Sequence, residues 1–158
     1  MSIEYKLPLI AVKNVEISKK FYGDLFGQTV VFDFGKNVTF SGGFAIQEDF
    51  AWLADLPEEP SYQKAYDMEL YFETDDFDGF LKILSEYSNI AYVHPPKKHD
   101  WQQRVVRIFD PDGHIIEIGE SMAYIAKRFL GEGKTPVETA AIIQHPIEFV
   151  IACANGEL

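Results

Sequence analysis

Two glutamates, each inside a β-prone run of apolar residues, are the side chains best placed to do chemistry. Glu117 lies in HIIEI (114–118), directly after the turn sequence DPDG, and Glu69 opens the alternating run ELYFET (69–74). Strand side chains alternate between two faces, so a carboxylate there faces either solvent or a pocket. In a partly dry pocket two carboxylates repel unless a cation offsets them. Arg107 is the cation within the chain; a metal ion or a cationic ligand are the alternatives.

A structural interpretation of the same residues stays open. Glu69 and Glu117 are then solvated residues of a sheet face, paired with Arg107. His94, beside two prolines, is a candidate base near neutral pH, whereas loop histidines are mostly solvated. His114 faces away from Glu117 by strand parity. We assign Asp110, Asp112 and Gly113 to the turn alone.

The composition restricts the class of protein. The chain has 158 residues, 47% of them hydrophobic, which is typical of a folded domain. Its 14 basic and 25 acidic residues give a net charge of −11, which disfavours nucleic acid as a partner. The single cysteine, Cys153, excludes an intrachain disulfide and a multi-cysteine metal cluster. Without a signal sequence or a long apolar run, a cytoplasmic protein without membrane contact is expected.

Residues 5–48 predict one β-α-β-β-β module. A β-prone run from about Tyr5 to Val12 precedes VEISKKFYGDLF (15–26). The apolar residues of that segment form one helical stripe, with Gly27 as the C-cap. The stripe consists of Val15, Ile17, Phe21, Leu25 and Phe26. Gly35-Lys36 and Gly42-Gly43 then separate three predicted strands at 29–34, 37–40 and 43–47.

The same order repeats in residues 67–120, after a linker (49–66) with at most one helical turn. The predicted elements are a strand at 68–74, a helix at 76–87, and strands at 90–94, 103–109 and 114–119. Two such modules in tandem predict an α+β fold in which a cupped mixed sheet has a cleft between its halves. Open sheet edges favour a homodimer.

Residues 121–158 predict a helical C-terminal extension. Breaks at 131–133 and at His145-Pro146 separate three helices, and Thr135 with Glu138 forms a capping box ahead of Pro136 at the first helical position. The last segment, HPIEFVIACANGEL, has no lysine or arginine, so a DNA-recognition helix is excluded. We expect a lid, a packing element or a dimer element.

Three segments resemble the vicinal oxygen chelate superfamily, which comprises glyoxalases, bleomycin-resistance proteins and dioxygenases. They are VKNVEISKKFYGDLFG (12–27), ELYFETDDFDGF (69–80) and WQQRVVRIFDPDGHIIEI (101–118), the last being the most specific. The resemblance covers about residues 5–120, which implies one domain at 1–120 with the extension outside it.

The resemblance also implies positions for a metal site. Metal-dependent members place one ligand on the first and last strand of each module, which falls here on Leu7, Gln47, Glu69 and Glu117. Leucine has no donor atom, and an amide oxygen is a weak ligand for transition ions. A divalent ion held by Gln47, Glu69 and Glu117 is therefore the alternative, and no cofactor is the main expectation.

The cup predicted by strand parity has the mixed aromatic and polar lining of a small-molecule pocket. The residues assigned to this ligand pocket are Leu7, Gln47, Trp52, Glu69, Tyr71, Trp101, Arg107 and Glu117. We expect a metal-free member that binds a small organic molecule, as bleomycin-resistance relatives bind drugs. The alternatives are a metal-dependent lyase, isomerase or dioxygenase using Gln47, Glu69 and Glu117, and an interaction module acting through the tail.

Overall fold

The computed structural model describes residues 3–58, 60–62 and 66–158. The chain divides into two compact units. The first consists of Met1–Met68 and Phe109–Ile115, and the second of Glu69–Ile108 and Ile116–Leu158. Residues 59 and 63–65 of the predicted linker, like residues 1 and 2, lie outside the description.

The first unit contains a long and a short helix and a four-stranded sheet of order β1-β4-β3-β2. Its elements are β1 (Leu9–Ala11), α1 (Val15–Phe26), β2 (Val30–Asp33), β3 (Asn37–Phe40), β4 (Ala45–Gln47) and the short helix α2 (Phe50–Leu53). β1 runs parallel to β4, pairing Ala11 with Gln47, whereas β3 is antiparallel to both of its neighbours. The long helix begins where Asn14 accepts from the Ile17 amide and ends at left-handed Gly27.

The second sheet repeats this order as β5-β8-β7-β6. Its elements are β5 (Glu69–Thr74), α3 (Phe77–Glu86), β6 (Ala91–Lys98), β7 (Arg104–Phe109) and β8 (Ile115–Glu120). The Arg104 guanidinium lies over the Phe77 ring of α3, at 5.0 Å from its centroid. Arg104 and Arg107 are on opposite sides of β7 by parity, so the two sides are called here the α3 face and the Arg107 face.

The turn between β7 and β8 clusters with the first unit. The buried Asp110 carboxylate accepts from the amides of Asp112 and His114 and from the Tyr22 hydroxyl at 2.8 Å. Gly113 has φ of 92°, as the turn requires. Burial, reinforced by Asp110, raises the pKa of Tyr22 well above its usual value. The turn residues are therefore structural, as predicted.

The tail forms three helices, α4 (Met122–Gly131), α5 (Pro136–Ile143) and α6 (Ile147–Asn155). Both halves of the predicted capping box at Thr135 and Glu138 are present. The helices share an apolar cluster that includes Ile125, Val150 and the buried Cys153, and Trp101 of the second unit packs against it. No helix in the described part of the chain is both long and apolar enough to cross a membrane.

The α+β prediction, the element order and the three tail helices are confirmed. Two local predictions are wrong. Ile17 is 57% exposed, and Ser18 and Tyr22 take buried positions of α1 instead. The strand predicted to end at His94 continues through both prolines to Lys98, because an edge strand tolerates residues that cannot donate a hydrogen bond.

Candidate functional site

The second sheet gathers three polar side chains around Arg107 of β7, one from each of its other strands. The Arg107 Nε donates to a Glu69 carboxylate oxygen on β5 at 2.8 Å. One terminal nitrogen is ion-paired with Glu117 on β8, and the other lies 3.2 Å from the His94 Nε2 on β6. A single guanidinium thus holds both glutamates that the sequence singled out, together with a histidine.

The two carboxylates differ in their access to solvent. The Glu117 side chain is 8% exposed, whereas that of Glu69 is 39% exposed. A buried carboxylate depends on its partner because desolvation is costly without pairing. Arg107 therefore neutralises Glu117, and Glu69 retains a surface that a ligand can reach.

Tyr71 stands two residues after Glu69 on the same side of β5. Its hydroxyl donates to the Glu73 carboxylate at 2.7 Å and accepts from the Gln103 amide at 2.7 Å. Burial, with the Glu73 hydrogen bond, raises the pKa of Tyr71 above its usual value, so the phenol stays neutral at physiological pH. The hydroxyl is thereby engaged, while the ring is half exposed.

Gln103, the residue directly before β7, fixes this arrangement from across β8. Its amide nitrogen also donates to the Glu120 carbonyl, and its oxygen accepts from the Trp101 indole at 3.0 Å. A side chain on Gly119 would place its Cβ 2.5 Å from that amide nitrogen. Glycine at 119 is therefore what leaves room for the Gln103–Tyr71 contact.

The corresponding positions of the first sheet are occupied differently. Leu7 is half buried and contributes no polar atom. Gln47 is 2% exposed, and its amide oxygen accepts from the Asn37 side chain at 2.8 Å. Its amide nitrogen donates to the Glu48 carbonyl at 2.6 Å. Both ends of this amide are thus used inside the first unit.

The donor set does not fit the family-type divalent metal site. The Gln47 oxygen and both glutamates are already engaged by Asn37 and Arg107, and Leu7 offers no ligand. The Arg107 guanidinium already bridges both carboxylates, which leaves no position for a metal ion between them. Within the described residues, no three His, Cys, Asp or Glu side chains are grouped as metal ligands.

The two tryptophans assigned to the ligand pocket have different surroundings. Trp52, on α2, is 76% exposed. Trp101 stacks on His99 at 4.0 Å between ring centroids and contacts the tail cluster. Its indole also donates to Gln103, whose amide donates to the Tyr71 hydroxyl.

A second arginine–glutamate pair, which the sequence reasoning missed, lies on the α3 face. Arg104 bonds Glu120 through two nitrogens at 3.0 and 3.2 Å and Asp78 at 2.8 Å. The Glu120 hydrogen bonds, with Asp78, raise the pKa of Arg104 against the effect of burial. The sequence did contain a signal for this pair. Arg104 lies three residues from Arg107, and Glu120 lies three residues from Glu117. On a strand this odd spacing places the second arginine and the second glutamate together on the opposite face.

His94 was considered in the sequence only as a loop base. It belongs to β6, where its Nε2 faces Arg107 and its Nδ1 lies 2.8 Å from the Pro95 carbonyl. A hydrogen bond to that carbonyl puts the proton on Nδ1 and leaves Nε2 as the acceptor for Arg107. His94 thereby acts as a support for the guanidinium.

The first unit has a cavity of its own, of about 180 Å³. Its lining includes Ala11, Tyr62, Tyr66, Asp112, His114 and Ile115. Asp112 accepts a hydrogen bond from the Lys13 amide, and burial raises the pKa of this carboxyl. None of the residues assigned to the ligand pocket from the sequence is part of this lining.

Comparison with known proteins identifies the family. A glyoxalase-like domain model matches residues 5–123. A protein of unknown function from Agrobacterium tumefaciens is 35% identical, with a TM-score of 0.65 over 77% of this chain and 96% of that one. No curated protein matches the chain.

More distant structures share the fold. A glyoxalase-related enzyme from Fulvimarina pelagi is 19% identical, with a TM-score of 0.61 over 75% of this chain and 89% of that one. The fosfomycin resistance protein FosX from Mesorhizobium loti is 18% identical, with a TM-score of 0.57 over 77% and 94%. The chain therefore belongs to the glyoxalase-like domain family of the vicinal oxygen chelate superfamily.

Proposed function

We propose that this chain binds a small organic molecule against the Arg107 face and does so without the family's metal ion. The observation that supports the proposal is Arg107, whose guanidinium contacts both glutamates at once. In a metal-using relative, the ion would offset the charge of those carboxylates. Here the chain supplies that positive charge itself.

The accessible groups of this face favour a cationic aromatic ligand. Glu69 offers a partly exposed carboxylate, and Tyr71, on the same side of β5, offers a ring that is 49% exposed. A cation gains from both a carboxylate and an aromatic face. The chain's net charge of −11 also attracts such a molecule over a longer range.

Metal content tests the metal-free part of the proposal. The protein is purified without chelators or a metal-affinity tag, and bound metals are quantified for the wild type and for Glu117→Gln. Glu120→Gln is the matched control, because it removes a buried, arginine-paired carboxylate from the α3 face of the same strand. We expect no stoichiometric metal in any of the three. Stoichiometric metal that is lost only in Glu117→Gln would favour the metal-dependent enzyme instead.

Ligand-dependent thermal stabilisation tests the binding part. Cationic aromatic compounds are screened against the wild type, and neutral analogues of the same ring serve as controls. Glu69→Gln should abolish the stabilisation, whereas Glu86→Gln, an exposed change on α3, should leave it intact. Equal stabilisation of both variants would show that Glu69 does not hold the ligand.

A further inference from the structure

A cavity of about 240 Å³ opens on the α3 face of the second unit. It is lined by Phe77 and Leu81 of α3, by Pro96, Lys97 and Lys98 of β6, and by Arg104 of β7. This volume is below the roughly 300–1,000 Å³ of sites for drug-sized ligands, so it fits a smaller molecule of one or two rings. Since Arg104 and Arg107 lie on opposite sides of β7, the cavity is separate from the face of the proposed function.

Arg104 is held in a fixed orientation in this cavity. Glu120, which is 2% exposed, binds it through two nitrogens, and Asp78 binds the remaining one. An arginine has five N–H groups, and three are used in these bonds. One N–H on each terminal nitrogen therefore remains for an acceptor within a guanidinium that is already ordered.

Two lysines add positive charge without a partner. Lys97 and Lys98 are exposed, and among the described residues neither makes an ion pair or a side-chain hydrogen bond. The lining has three cationic groups. Two carboxylates, those of Asp78 and Glu120, offset them, and both are paired with Arg104. The cavity thus has a surplus of positive charge in a chain whose net charge is −11.

Apolar surface completes the lining. The Phe77 ring lies under the Arg104 guanidinium, and Leu81 and Pro96 also line the space. An aromatic ring packs against such groups, while an attached anionic group accepts hydrogen bonds from arginine and lysine. Lysine and proline on β6 also protect an edge strand from pairing, but that role requires neither the buried Glu120–Arg104 anchor nor an apolar cavity.

We propose that this cavity binds a small aromatic carboxylate, with its ring on Leu81 and Pro96 and its carboxylate on Lys97, Lys98 and Arg104. The proposal is independent of the function proposed for the Arg107 face. An acidic chain therefore offers two sites of opposite preference, one for cations and one for anions.

The test uses 2-naphthoate as the probe and 2-naphthamide as its uncharged analogue. Binding is followed by calorimetry and by amide chemical shifts of the full chain. We expect naphthoate to shift amides of α3 and β6 and to bind at least about tenfold more tightly than the amide. Its affinity should fall as salt is raised, because the lysines are exposed.

Four variants locate the contacts. Lys97→Gln/Lys98→Gln should weaken naphthoate binding by about tenfold or more, whereas Lys97→Arg/Lys98→Arg should retain it. Lys127→Gln/Lys134→Gln removes the same charge from the tail and should have little effect. Glu69→Gln, which should abolish binding of the cationic ligand, should leave naphthoate binding unchanged, which separates this site from the proposed function.

Three outcomes would overturn the proposal: equal binding of naphthoate and naphthamide, equal losses in the two glutamine double variants, or shifts confined to residues outside α3 and β6. The salt series on the wild type tests the charge requirement even if the glutamine variant self-associates through the edge that it exposes.

Discussion

The two sheets share one strand order but fill their matching positions with different chemistry. On the last strand of the first sheet, Gln47 is held by Asn37 in a neutral amide contact. On the last strand of the second, Glu117 is held by Arg107 in an ion pair. Each polar group is buried, and each is satisfied from a neighbouring strand of its own sheet. The same backbone plan thus allows one half to be neutral while the other carries the charged site.

Their outer edges differ in the same way. The edge strand β2 exposes Val30, Val31 and Phe32. The edge strand β6 instead contains two prolines followed by two lysines. Proline and lysine protect an edge from pairing with another chain, whereas exposed apolar residues invite it. The first sheet is therefore the half suited to association, and the second the half suited to small charged ligands.

The largest effect on stability is expected from removing the Arg107–Glu117 ion pair of the second sheet. Arg107→Met leaves Glu117 buried without a partner, so the free energy of unfolding should fall by about 3 kcal/mol, the lower end for a buried pair. Adding Glu117→Gln should recover part of this loss, since the uncompensated charge is gone. Urea denaturation measures both variants, and Lys82→Met is the exposed control. A loss under about 1 kcal/mol would show that the pair behaves as a surface ion pair.

Removing the Gln47–Asn37 amide contact of the first sheet should lower the free energy of unfolding by less. Gln47→Leu deprives the Asn37 side chain and the Glu48 carbonyl of their partners, which should lower the free energy of unfolding by about 1–2 kcal/mol. The same urea experiment applies, again with Lys82→Met as the exposed control. A cost as large as that of Arg107→Met would contradict the assignment of the charged role to the second sheet alone.

The histidines of the two units should respond to pH with opposite signs. Burial by itself lowers the pKa of His114, but the Asp110 hydrogen bond, with the charges of Asp110 and Asp112, outweighs it and raises the pKa. The stability that His114 contributes is present below its unfolded pKa of about 6.5 and is lost as pH rises through the folded value. Burial, followed by the charge of Lys97, lowers the pKa of His99. Protonated His99 therefore destabilises the folded protein, so the stability increases as pH rises.

Denaturation between about pH 5 and 8 measures this difference, because His99 acts below about pH 6.5 and His114 above it. His114→Gln should remove a decrease of stability with rising pH, and His99→Gln should remove an increase. The assignment fails if either substitution leaves the slope unchanged.

We expect the edge strands β2 and β6 to differ in self-association. Substitutions on these two strands should have the smallest effects on stability. We expect the homodimer to form through β2, so Phe32→Lys should shift sedimentation toward the monomer. Tyr92→Lys, an exposed change on β6, should not. Both should alter the free energy of unfolding by no more than about 0.5 kcal/mol, as surface changes do. A dimer that survives Phe32→Lys and dissociates with Tyr92→Lys would place the interface on the other sheet.

Local signals predicted the elements that local chemistry determines. Asn14 and Gly27 limit α1, and the capping box at Thr135 begins α5, because a helix end needs partners for its free amides and carbonyls. The extension of β6 through two prolines was not predicted, since it depends on which strand lies at the edge. The exposure of Ile17 was missed because the stripe of α1 is centred on Ser18 and Tyr22.

By itself, the sequence determined the repeated strand–helix order, the helical tail, the structural role of the turn and the positions of Glu69 and Glu117. These follow from periodicity, capping and turn chemistry, which act over a few residues. The sequence also offered Arg107 as a partner for both glutamates. The tertiary structure alone decided that His94 contacts Arg107, that Asn37 binds Gln47 and that Arg104 binds Glu120. Pairs between distant strands depend on register and sheet order, and a buried charge is stable only where that order brings it a partner.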